Sequence, residues 1–206
     1  FAGGITLTQP ENVLGPIGIA SNGPVSIQEN DAITQASAWR IYSGGNGVPY
    51  AVNLATTDGQ AITLNQSNNY LGDLTLTQLG SSATPGAGFV DDANSYSGIT
   101  QGGAWTLAGV TTLDSYGYSI SLKNANNVLG PLQVLSSAGT TNGVASSIAI
   151  DAKSTATTDA ISDVGAAGAW ATGTSEPVEL VGYDSAGTIE GGGDITLTDP
   201  ANVLGQ

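Results

Sequence analysis

The side chains that could carry chemistry in this chain are carboxylates, hydroxyls and amides. Its 206 residues include 17 aspartates and glutamates, three lysines and arginines, and no histidine or cysteine. Histidine-based triads, thiolate nucleophiles, disulfides and zinc sites with nitrogen and sulfur ligands are therefore excluded. Two functions that carboxylates could still support are calcium binding and sugar cleavage by a pair of carboxylates.

The acidic residues do not form a convincing site of either kind. Asp91 and Asp92 are adjacent, and adjacent residues of a strand face opposite sides of a sheet. Residues 191–193 are three glycines followed by Asp194, which is loosely similar to a calcium-binding nonapeptide repeat. That pattern occurs once and out of register with the other repeats, so a turn is the preferred interpretation.

Basic residues do not complete a catalytic groove either. A polysaccharide lyase or hydrolase would gather several acids beside a basic residue, whereas Arg40, Lys123 and Lys153 are isolated in the sequence. We therefore predict no enzymatic activity, no catalytic residues, no cofactor and no metal site. The sequon at 65–67 is assigned no function, because a three-residue pattern arises often by chance in a chain rich in Asn and Ser.

Charge and composition restrict the partners. Charged residues make up 10% of the chain, against about 25% in ordinary domains, and the net charge is −14. This charge disfavours nucleic acids and anionic membrane surfaces, which proteins bind mainly through cations. No apolar run approaches the ~20 residues that span a bilayer. The alternation of apolar and small polar residues indicates a folded chain rather than a disordered one.

An eleven-residue motif, ITLTQPENVLG at 5–15, recurs at 62–72, 120–130 and 195–205. It divides the chain into repeat units 5–61, 62–119 and 120–194 and a partial fourth unit, 195–206. Five columns of the motif hold the same residue type in all four copies: Ile5, Ile62, Ile120 and Ile195; Leu7, Leu64, Leu122 and Leu197; Asn12, Asn69, Asn127 and Asn202; Leu14, Leu71, Leu129 and Leu204; Gly15, Gly72, Gly130 and Gly205. We interpret the first two columns as same-face strand positions.

A second element contains all three tryptophans. It occupies 32–39, 98–105 and 160–170 and ends at Trp39, Trp105 and Trp170. Exposed tryptophans could stack on sugar rings, but packing in the core or against turns is the favoured interpretation. The recurring asparagines are expected to hydrogen-bond turn backbones from inside the coil.

The repeat spacings predict a parallel β-solenoid. The motif copies are separated by 57, 58 and 75 residues, and their total of 190 suggests about ten rungs of roughly 19 residues. On this basis the third unit holds an extra rung within 139–165. Short strand signals lie at 5–8, 25–28, 50–54, 74–77, 105–107, 147–150 and 178–181. Two alternatives stay open: a helix within 144–164, and a sandwich or barrel joined by Asn-Gly and Asp-Gly hairpins such as 22–23 and 58–59.

Residues 98–115, GITQGGAWTLAGVTTLDS, lead into ISLKNANNVLGPLQV at 120–134. These motifs resemble the repeats of large filamentous-haemagglutinin-like exoproteins and autotransporter-type β-helices. The resemblance implies a right-handed parallel β-helix that is secreted to the cell surface or beyond and acts as an adhesin or fibre. It brings no catalytic residues. The family's secretion domain and a distinct effector are not visible, so the secretion route stays open.

The predicted function is thus a structural or adhesive shaft of a secreted bacterial surface or matrix fibre. A fourth copy beginning at 195 favours a segment of a longer protein that contacts its own neighbouring repeats, and end-to-end self-association stays open. A carbohydrate- or host-surface-binding module is the alternative, with host or matrix glycans as ligands. A polysaccharide-active enzyme and an ice-binding solenoid are disfavoured, the latter because the spacings are irregular.

Overall fold

The computed structural model describes residues 3–41, 49–66, 69–79, 88–91, 98–115, 118–135, 147–155, 159–164, 170, 178–186, 193–200, 202 and 204. The regular elements of these residues are β-strands, and the pairings between them are parallel. The strands are β1 Ile5–Leu7, β2 Ala20–Ser21, β3 Val25–Glu29, β4 Arg40–Ile41, β5 Ala51–Thr56, β6 Ile62–Leu64, β7 Asp73–Gln78, β8 Gly88–Asp91, β9 Ile99–Thr100, β10 Thr106–Leu107, β11 Thr111–Asp114, β12 Ile120–Leu122, β13 Val128–Leu129, β14 Leu132–Leu135, β15 Ile148–Lys153, β16 Ile161–Ser162, β17 Val178–Tyr183 and β18 Ile195–Thr196.

The strands form where apolar and small polar residues alternate. In β3, β5 and β7 every second side chain is buried, as expected for a sheet with one face against a core. Each of the seven strand segments predicted from the sequence corresponds to a strand in the structure. The helix alternative within 144–164 is wrong for the described residues there, because β15 and β16 occupy them.

Parallel bridges join most of the strands into two long ladders. Ladder I and ladder II each contain eight strand positions, and the chain visits the two ladders in strict alternation. Ladder I is marked in order by Ile5, Val25, Val52, Leu74, Ile99, Ile120, Ile148 and Val178. Ladder II is marked by Ile17, Ile33, Ile62, Gly88, Thr111, Leu132, Ile161 and Ile195. Parallel pairing requires crossover connections, so the hairpin-built sandwich or barrel is wrong for the described residues.

The register corrects the predicted rung length. Ile5 pairs with Val25 and Ile148 pairs with Val178, so the second of these steps along the chain is half as long again as the first. Ladder I takes seven steps from Ile5 to Val178, which gives an average of about 25 residues a step. A uniform step of roughly 19 residues is therefore wrong. That prediction assumed connections of constant length, whereas in the structure the connections between paired strands differ in length.

Every repeat unit contains five strand positions, because some positions hold two short strands. The strands β9 and β10 both lie against β7, and β12 and β13 lie against β9 and β10. The paired strands β2 and β4 continue the positions that begin at Ile17 and Ile33. The third unit has its five at Ile120, Leu132, Ile148, Ile161 and Val178, so its greater length lies in connections and the predicted extra rung is absent from the described ladders. Because five is odd, successive copies of the motif begin on opposite ladders. The first and third copies begin on ladder I, and the second and fourth copies begin on ladder II.

The core consists of stacked aliphatic side chains from both ladders. Val25, Val52 and Leu74 are consecutive partners on ladder I and are completely buried, and Ile62 on ladder II is equally inaccessible. Adjacent parallel strands lie ~4.8 Å apart, so each buried residue covers the residue of the preceding strand of its ladder. Burial of a position therefore depends on having neighbours on both sides along the ladder.

Candidate functional site: a repeated tryptophan–asparagine clamp

The two repeated sequence elements lie side by side. In each unit the strand position that precedes the tryptophan pairs with the first strand of the next motif copy: Ile33 with Ile62, Ile99 with Ile120, and Ile161 with Ile195. This pairing brings the tryptophan of one unit next to the asparagine of the following unit. We call the resulting group of tryptophan, asparagine and a Gln or Asp side chain a clamp.

The first clamp is centred on Asn69. Its Oδ1 accepts hydrogen bonds from the backbone N–H of Trp39 at 2.9 Å and from Nε2 of Gln35 at 2.7 Å. Its Nδ2 donates to Oε1 of Gln35 at 3.1 Å and to the carbonyl of Leu64 at 3.2 Å. Asn69 is completely buried, so these bonds replace the water that its amide loses on folding.

The tryptophan indole links the clamp to the preceding strand position of the same ladder. Trp39 Nε1 donates to the carbonyl of Ile17 at 2.9 Å, and the same carbonyl accepts the backbone N–H of Ala36 at 2.9 Å. Ile17 is also the bridge partner of Gln35. A single clamp therefore links three successive parts of the chain through buried hydrogen bonds.

The second clamp repeats this arrangement around Asn127. Its Oδ1 accepts the backbone N–H of Trp105 at 2.8 Å and a hydrogen bond from Nε2 of Gln101. Its Nδ2 lies 3.2 Å from the carbonyl of Leu122 and 2.8 Å from the carbonyl of Asp151, to both of which it can donate. Trp105 Nε1 donates to the carbonyl of Leu74 at 2.8 Å, and Leu74 is the bridge partner of Gln101.

The third clamp uses an aspartate in place of the glutamine. Asn202 Oδ1 accepts the backbone N–H of Trp170 at 2.7 Å, and its Nδ2 donates to Oδ2 of Asp163 at 2.9 Å. Asp163 also accepts the backbone N–H of Asp199 at 2.8 Å. Trp170 Nε1 donates to the carbonyl of Leu132, the bridge partner of Asp163. The geometry is maintained although Asp163 and Trp170 are further apart in the sequence than Gln101 and Trp105.

Within the described residues, the asparagine of the first motif copy makes only the hydrogen bonds that a clamp asparagine makes through its Nδ2. Asn12 Nδ2 lies 3.2 Å from the carbonyls of Leu7 and Gln28, which correspond to Leu122 and Asp151 of the second clamp. It is only partly buried. Asn12 therefore bonds to the same two backbone positions as Asn127, although no tryptophan contacts it within the described residues.

The polar atoms of the clamps are engaged with one another, and the carboxylate of the third clamp, Asp163, accepts hydrogen bonds from Asn202 Nδ2 and from the backbone N–H of Asp199. The three tryptophan side chains are completely inaccessible to solvent. They therefore do not form a surface platform for sugar rings. The arrangement can hold consecutive repeat units together, because leaving any of these buried groups without a partner would cost roughly 1–3 kcal/mol.

The remaining motif columns have positional roles. The motif glycines allow close backbone approach: a Cβ at Gly72 would lie 1.9 Å from the carbonyl oxygen of Tyr50, and one at Gly130 would lie 2.5 Å from that of Gly109. Gly15 has φ of 65°, a conformation that favours glycine. Gly205 lies outside the described residues.

The acidic candidates do not converge. Asp91 is the last residue of β8, whereas Asp92 and Gly191 and Gly192 lie outside the described residues. The carbonyl of Asp194 accepts the backbone N–H of Ala160 at 3.0 Å, which is a role in strand pairing. Across the described part of the chain, no group of three or more acidic, histidine or cysteine side chains could hold a metal ion, and no helix could cross a membrane.

Within the described residues, an ion pair lies on the outward face of ladder I. Lys123 Nζ is 2.6 Å from Glu179 Oε2, and this pair raises the pKa of Lys123. Both side chains are more than half exposed, so the pair contributes little to stability. Desolvation raises the pKa of the neighbouring Asp151, whose Oδ1 is buried without a hydrogen-bond partner among the described residues.

The sequence reasoning missed the polar partners of the asparagines. Gln35, Gln101 and Asp163 occupy the third residue of the Ile-Thr-Gln or Ile-Ser-Asp segment, and that position is visible in the second repeated element. The sequence could have indicated these three residues, because each is a polar residue at the strand position where the motif copies have a leucine. Glu29 was also missed: it is completely buried, with Oε1 accepting the backbone N–H of Leu14 at 2.7 Å.

Comparison with known proteins gives one match. A family model described as repeats of unknown function (DUF5649) matches residues 72–136. This range begins at a motif glycine, extends through β14, and includes Gln101, Trp105 and Asn127 of the second clamp. No curated protein and no solved structure matches the chain.

Proposed function

We propose that this chain forms a β-solenoid that serves as a structural or adhesive shaft. In this proposal each coil contributes one strand to ladder I and one to ladder II and uses about 25 residues. The eight coils stack at ~4.8 Å and form a rod of roughly 40 Å. Right-handed coiling is the sense expected for parallel strands joined by crossover connections.

The repetition of the clamp is the observation that carries this proposal. In all three clamps the asparagine Oδ1 accepts the tryptophan backbone N–H and the indole donates to a backbone carbonyl. These bonds join unit one to two, two to three, and three to four. A binding pocket or active site would need one specialised position, whereas equivalent buried connections at each junction serve to extend and stiffen a repetitive structure. The clamp hydrogen bonds run to other groups of the chain itself, and the three tryptophans and Asn69 and Asn127 are buried.

The outer surface of ladder I also supports a shaft. Its consecutive outward positions include Thr6, Ser26, Asn53 and Thr75, which are small, polar and uncharged. Such a surface is soluble without presenting the apolar or strongly charged patches that mark tight protein interfaces. We propose a secreted location at the bacterial surface or beyond, and membership of the filamentous-haemagglutinin-like exoproteins, on the motif resemblance.

Fibre diffraction tests this function. The proposed solenoid predicts, in oriented samples, a ~4.8 Å repeat along the axis on which the strands stack. Because the strands are perpendicular to that axis, a β-sandwich of the same length would lack this orientation. Absence of the axial repeat would refute the shaft.

A carbohydrate-binding module is a second candidate, favoured by one surface feature. A shallow groove on ladder I is lined by Thr8, Ser26, Gln28, Asn53 and Thr75, among others. Hydroxyl and amide groups at ~4.8 Å intervals can hydrogen-bond to neutral sugars, although the buried tryptophans cannot stack on them. Saturable binding of a neutral glycan that is lost in Asn53→Ala and retained in Thr112→Ala, a change on ladder II, would support it.

A further inference from the structure

The outward face of ladder I carries two neighbouring hollows. The first is the shallow groove whose polar lining includes Thr8, Ser26, Gln28, Asn53, Thr75 and Thr77. The lining of the second includes Thr100, Gly102, Gly103, Ser121, Lys123 and Asn124. Thr75 and Gly103 are the common boundary of the two hollows, because a Cβ at Gly103 would lie 2.8 Å from Oγ1 of Thr75. The hollows therefore adjoin, and we call the surface that they form together the track.

A bulge in ladder I produces the second hollow. Leu74 pairs with Gln101, and Thr77 pairs with Thr106. Thr77 is three residues after Leu74, whereas Thr106 is five residues after Gln101, so the later strand has two extra residues. The bulge includes the glycines at 102–103, which have no side chains to fill the space that it opens. Bulges of this kind interrupt the pairing of a sheet and are frequent beside functional sites.

The first clamp has an equivalent bulge on ladder II that is filled by a side chain. Residues 17–20 pair with residues 35–40, again with two extra residues on the later strand. This bulge contains Ala36 and Ser37 in place of the two glycines. Ser37 lies against the preceding strand, since a Cβ at Gly18 would be 2.7 Å from Ser37 Oγ. The open bulge is thus a feature of the second clamp and not of every clamp.

The track is polar but has little charge. The lining of the first hollow contains no ionisable side chain, although the whole chain has a net charge of −14. Lys123 is the one ionisable residue in the lining of the second hollow, and Glu179 neutralises it at 2.6 Å. Within the described part of the chain, the hydroxyls of Thr75 and Ser121 and the amide nitrogen of Asn124 make no hydrogen bond. Uncharged donors and acceptors without partners suit an uncharged ligand that is rich in hydroxyl groups.

We propose that the track binds an extended chain of a neutral polysaccharide, which lies along the axis on which the strands stack. From β1 to β12, ladder I presents six strand positions to the track. At ~4.8 Å a step these positions span roughly 24 Å, so a single sugar ring would occupy one hollow whereas a polymer reaches both. This inference rests on the carbohydrate-binding candidate and names its ligand as a polymer.

Hydrogen bonds within the second hollow determine what each side chain can offer a sugar. Thr100 Oγ1 donates to Asp73 Oδ1 at 2.6 Å, so its oxygen can only accept from a ligand. Asn124 Oδ1 accepts the backbone N–H of Asn126 at 3.0 Å, so its Nδ2 remains as a donor. A sugar hydroxyl donates and accepts at the same time. The second hollow therefore provides both partners that such a group needs.

Titration calorimetry with oligosaccharides of two lengths tests the track. The neutral probes are cellobiose and cellohexaose, laminaribiose and laminarihexaose, and mannobiose and mannohexaose, and polygalacturonate is the anionic control. At least one hexasaccharide should bind about tenfold more tightly than its disaccharide, because the added rings reach the second hollow and form further hydrogen bonds there. Polygalacturonate should not bind, because the net charge of the protein repels it.

A matched pair of double variants places the polymer on the second hollow. Ser121→Ala/Asn124→Asp removes a hydroxyl and an amide donor but keeps the acceptor for the Asn126 N–H. Thr63→Ala/Gln66→Glu makes the same chemical changes at the equivalent motif positions beside the filled bulge of the first clamp. The first variant should weaken hexasaccharide binding by about fivefold or more, and the control should change it by less than about twofold. Far-ultraviolet circular dichroism should be the same for both.

The outcomes separate the track from the functions on which it rests. Equal affinity for disaccharide and hexasaccharide, or equal effects of the two double variants, would overturn the track. If Asn53→Ala still abolished binding in that case, the carbohydrate-binding candidate would stand with the first hollow as its site. Absence of binding for every neutral probe would overturn the track and that candidate together. The shaft would be unaffected, because it depends on the axial diffraction repeat.

Discussion

Removing the amide of Asn127 tests the clamp most directly. In Asn127→Ala the backbone N–H of Trp105 loses its acceptor, and the carbonyls of Leu122 and Asp151 lose a donor. The tryptophan and the asparagine are completely buried, so water cannot replace these bonds without disturbing the core. A buried polar group left without its partner costs roughly 1–3 kcal/mol, most for the N–H. We therefore expect a loss of about 3–5 kcal/mol in the free energy of unfolding.

Equilibrium denaturation followed by far-ultraviolet circular dichroism and tryptophan fluorescence measures this loss. Two control variants share the chemistry of the change. Asn126→Ala removes the same amide from the adjacent, exposed position, and should alter stability by less than about 0.5 kcal/mol. Asn12→Ala removes the equivalent asparagine where it is partly exposed and bonds only to the carbonyls of Leu7 and Gln28, and should cost about 1 kcal/mol or less.

The order of the three variants in their free energy of unfolding tests whether the clamp holds the repeat units together. If Asn127→Ala were no more destabilising than Asn126→Ala, the buried clamp would not hold the units together. If Asn12→Ala cost as much as Asn127→Ala, the stabilisation would come from the shared carbonyl bonds rather than from the tryptophan. Asn127→Asp would be a further check, because it keeps the acceptor but places a second oxygen against two carbonyls, and we expect it to be as damaging as alanine.

Three further changes have defined outcomes. Trp105→Phe keeps most of the buried ring but removes the donor to the Leu74 carbonyl, and should lower the free energy of unfolding by about 1–3 kcal/mol in urea titrations. Glu29→Gln retains an acceptor for the Leu14 N–H and removes a buried carboxylate whose Oε2 has no partner among the described residues, so its thermal midpoint at pH 7 should equal or exceed that of the parent; a fall would contradict this reading. Desolvation raises the pKa of Asp151, so the folded state binds its proton more tightly and stability decreases as pH rises through this ionisation. Asp151→Asn should raise the thermal midpoint at pH 7 and flatten the fall in stability as the pH rises above the ordinary aspartate pKa of about 4.

Much of the fold was predictable because it follows from local patterns. Short alternating segments predicted the strands, and the parallel all-β architecture is confirmed. The first motif column identified Ile5, Ile62, Ile120 and Ile195, each of which lies at the start of a paired ladder strand. The tryptophans stood out because all three ended the same element.

The rung length was not predictable from spacing alone. Steps between ladder partners are uneven: the step from Ile161 to Ile195 is more than half as long again as the step from Ile5 to Val25. Loop closure depends only weakly on length, so such variation costs little in stability and leaves no periodic signal. The even division of the total repeat spacing into equal rungs therefore carried no structural information.

The clamp partners were hidden for a different reason. Asn69 meets Gln35 across 34 residues, and nothing local in either segment indicates that a parallel pair will bring them together. Once Ile33 is known to pair with Ile62, the Gln and the Asn follow from their offsets. The third clamp also departs in sequence, with Asp163 instead of glutamine and a longer interval before Trp170. Its geometry depends on the pairing rather than on the intervening residues.

The odd number of strand positions in a unit has a mechanical consequence. Successive motif copies begin on opposite ladders, and so do the clamps that follow them, since Ile33 pairs with Ile62 on ladder II and Ile99 pairs with Ile120 on ladder I. In the proposed shaft, clamps on alternating sides would resist bending in both directions, whereas clamps on one ladder would leave the other free to open. Connections between strands can lengthen, as they do in unit 120–194, without changing the five positions that align one clamp with the next. The proposed shaft would need this tolerance, because its stiffness would depend on the buried ladders and clamps while the connections vary.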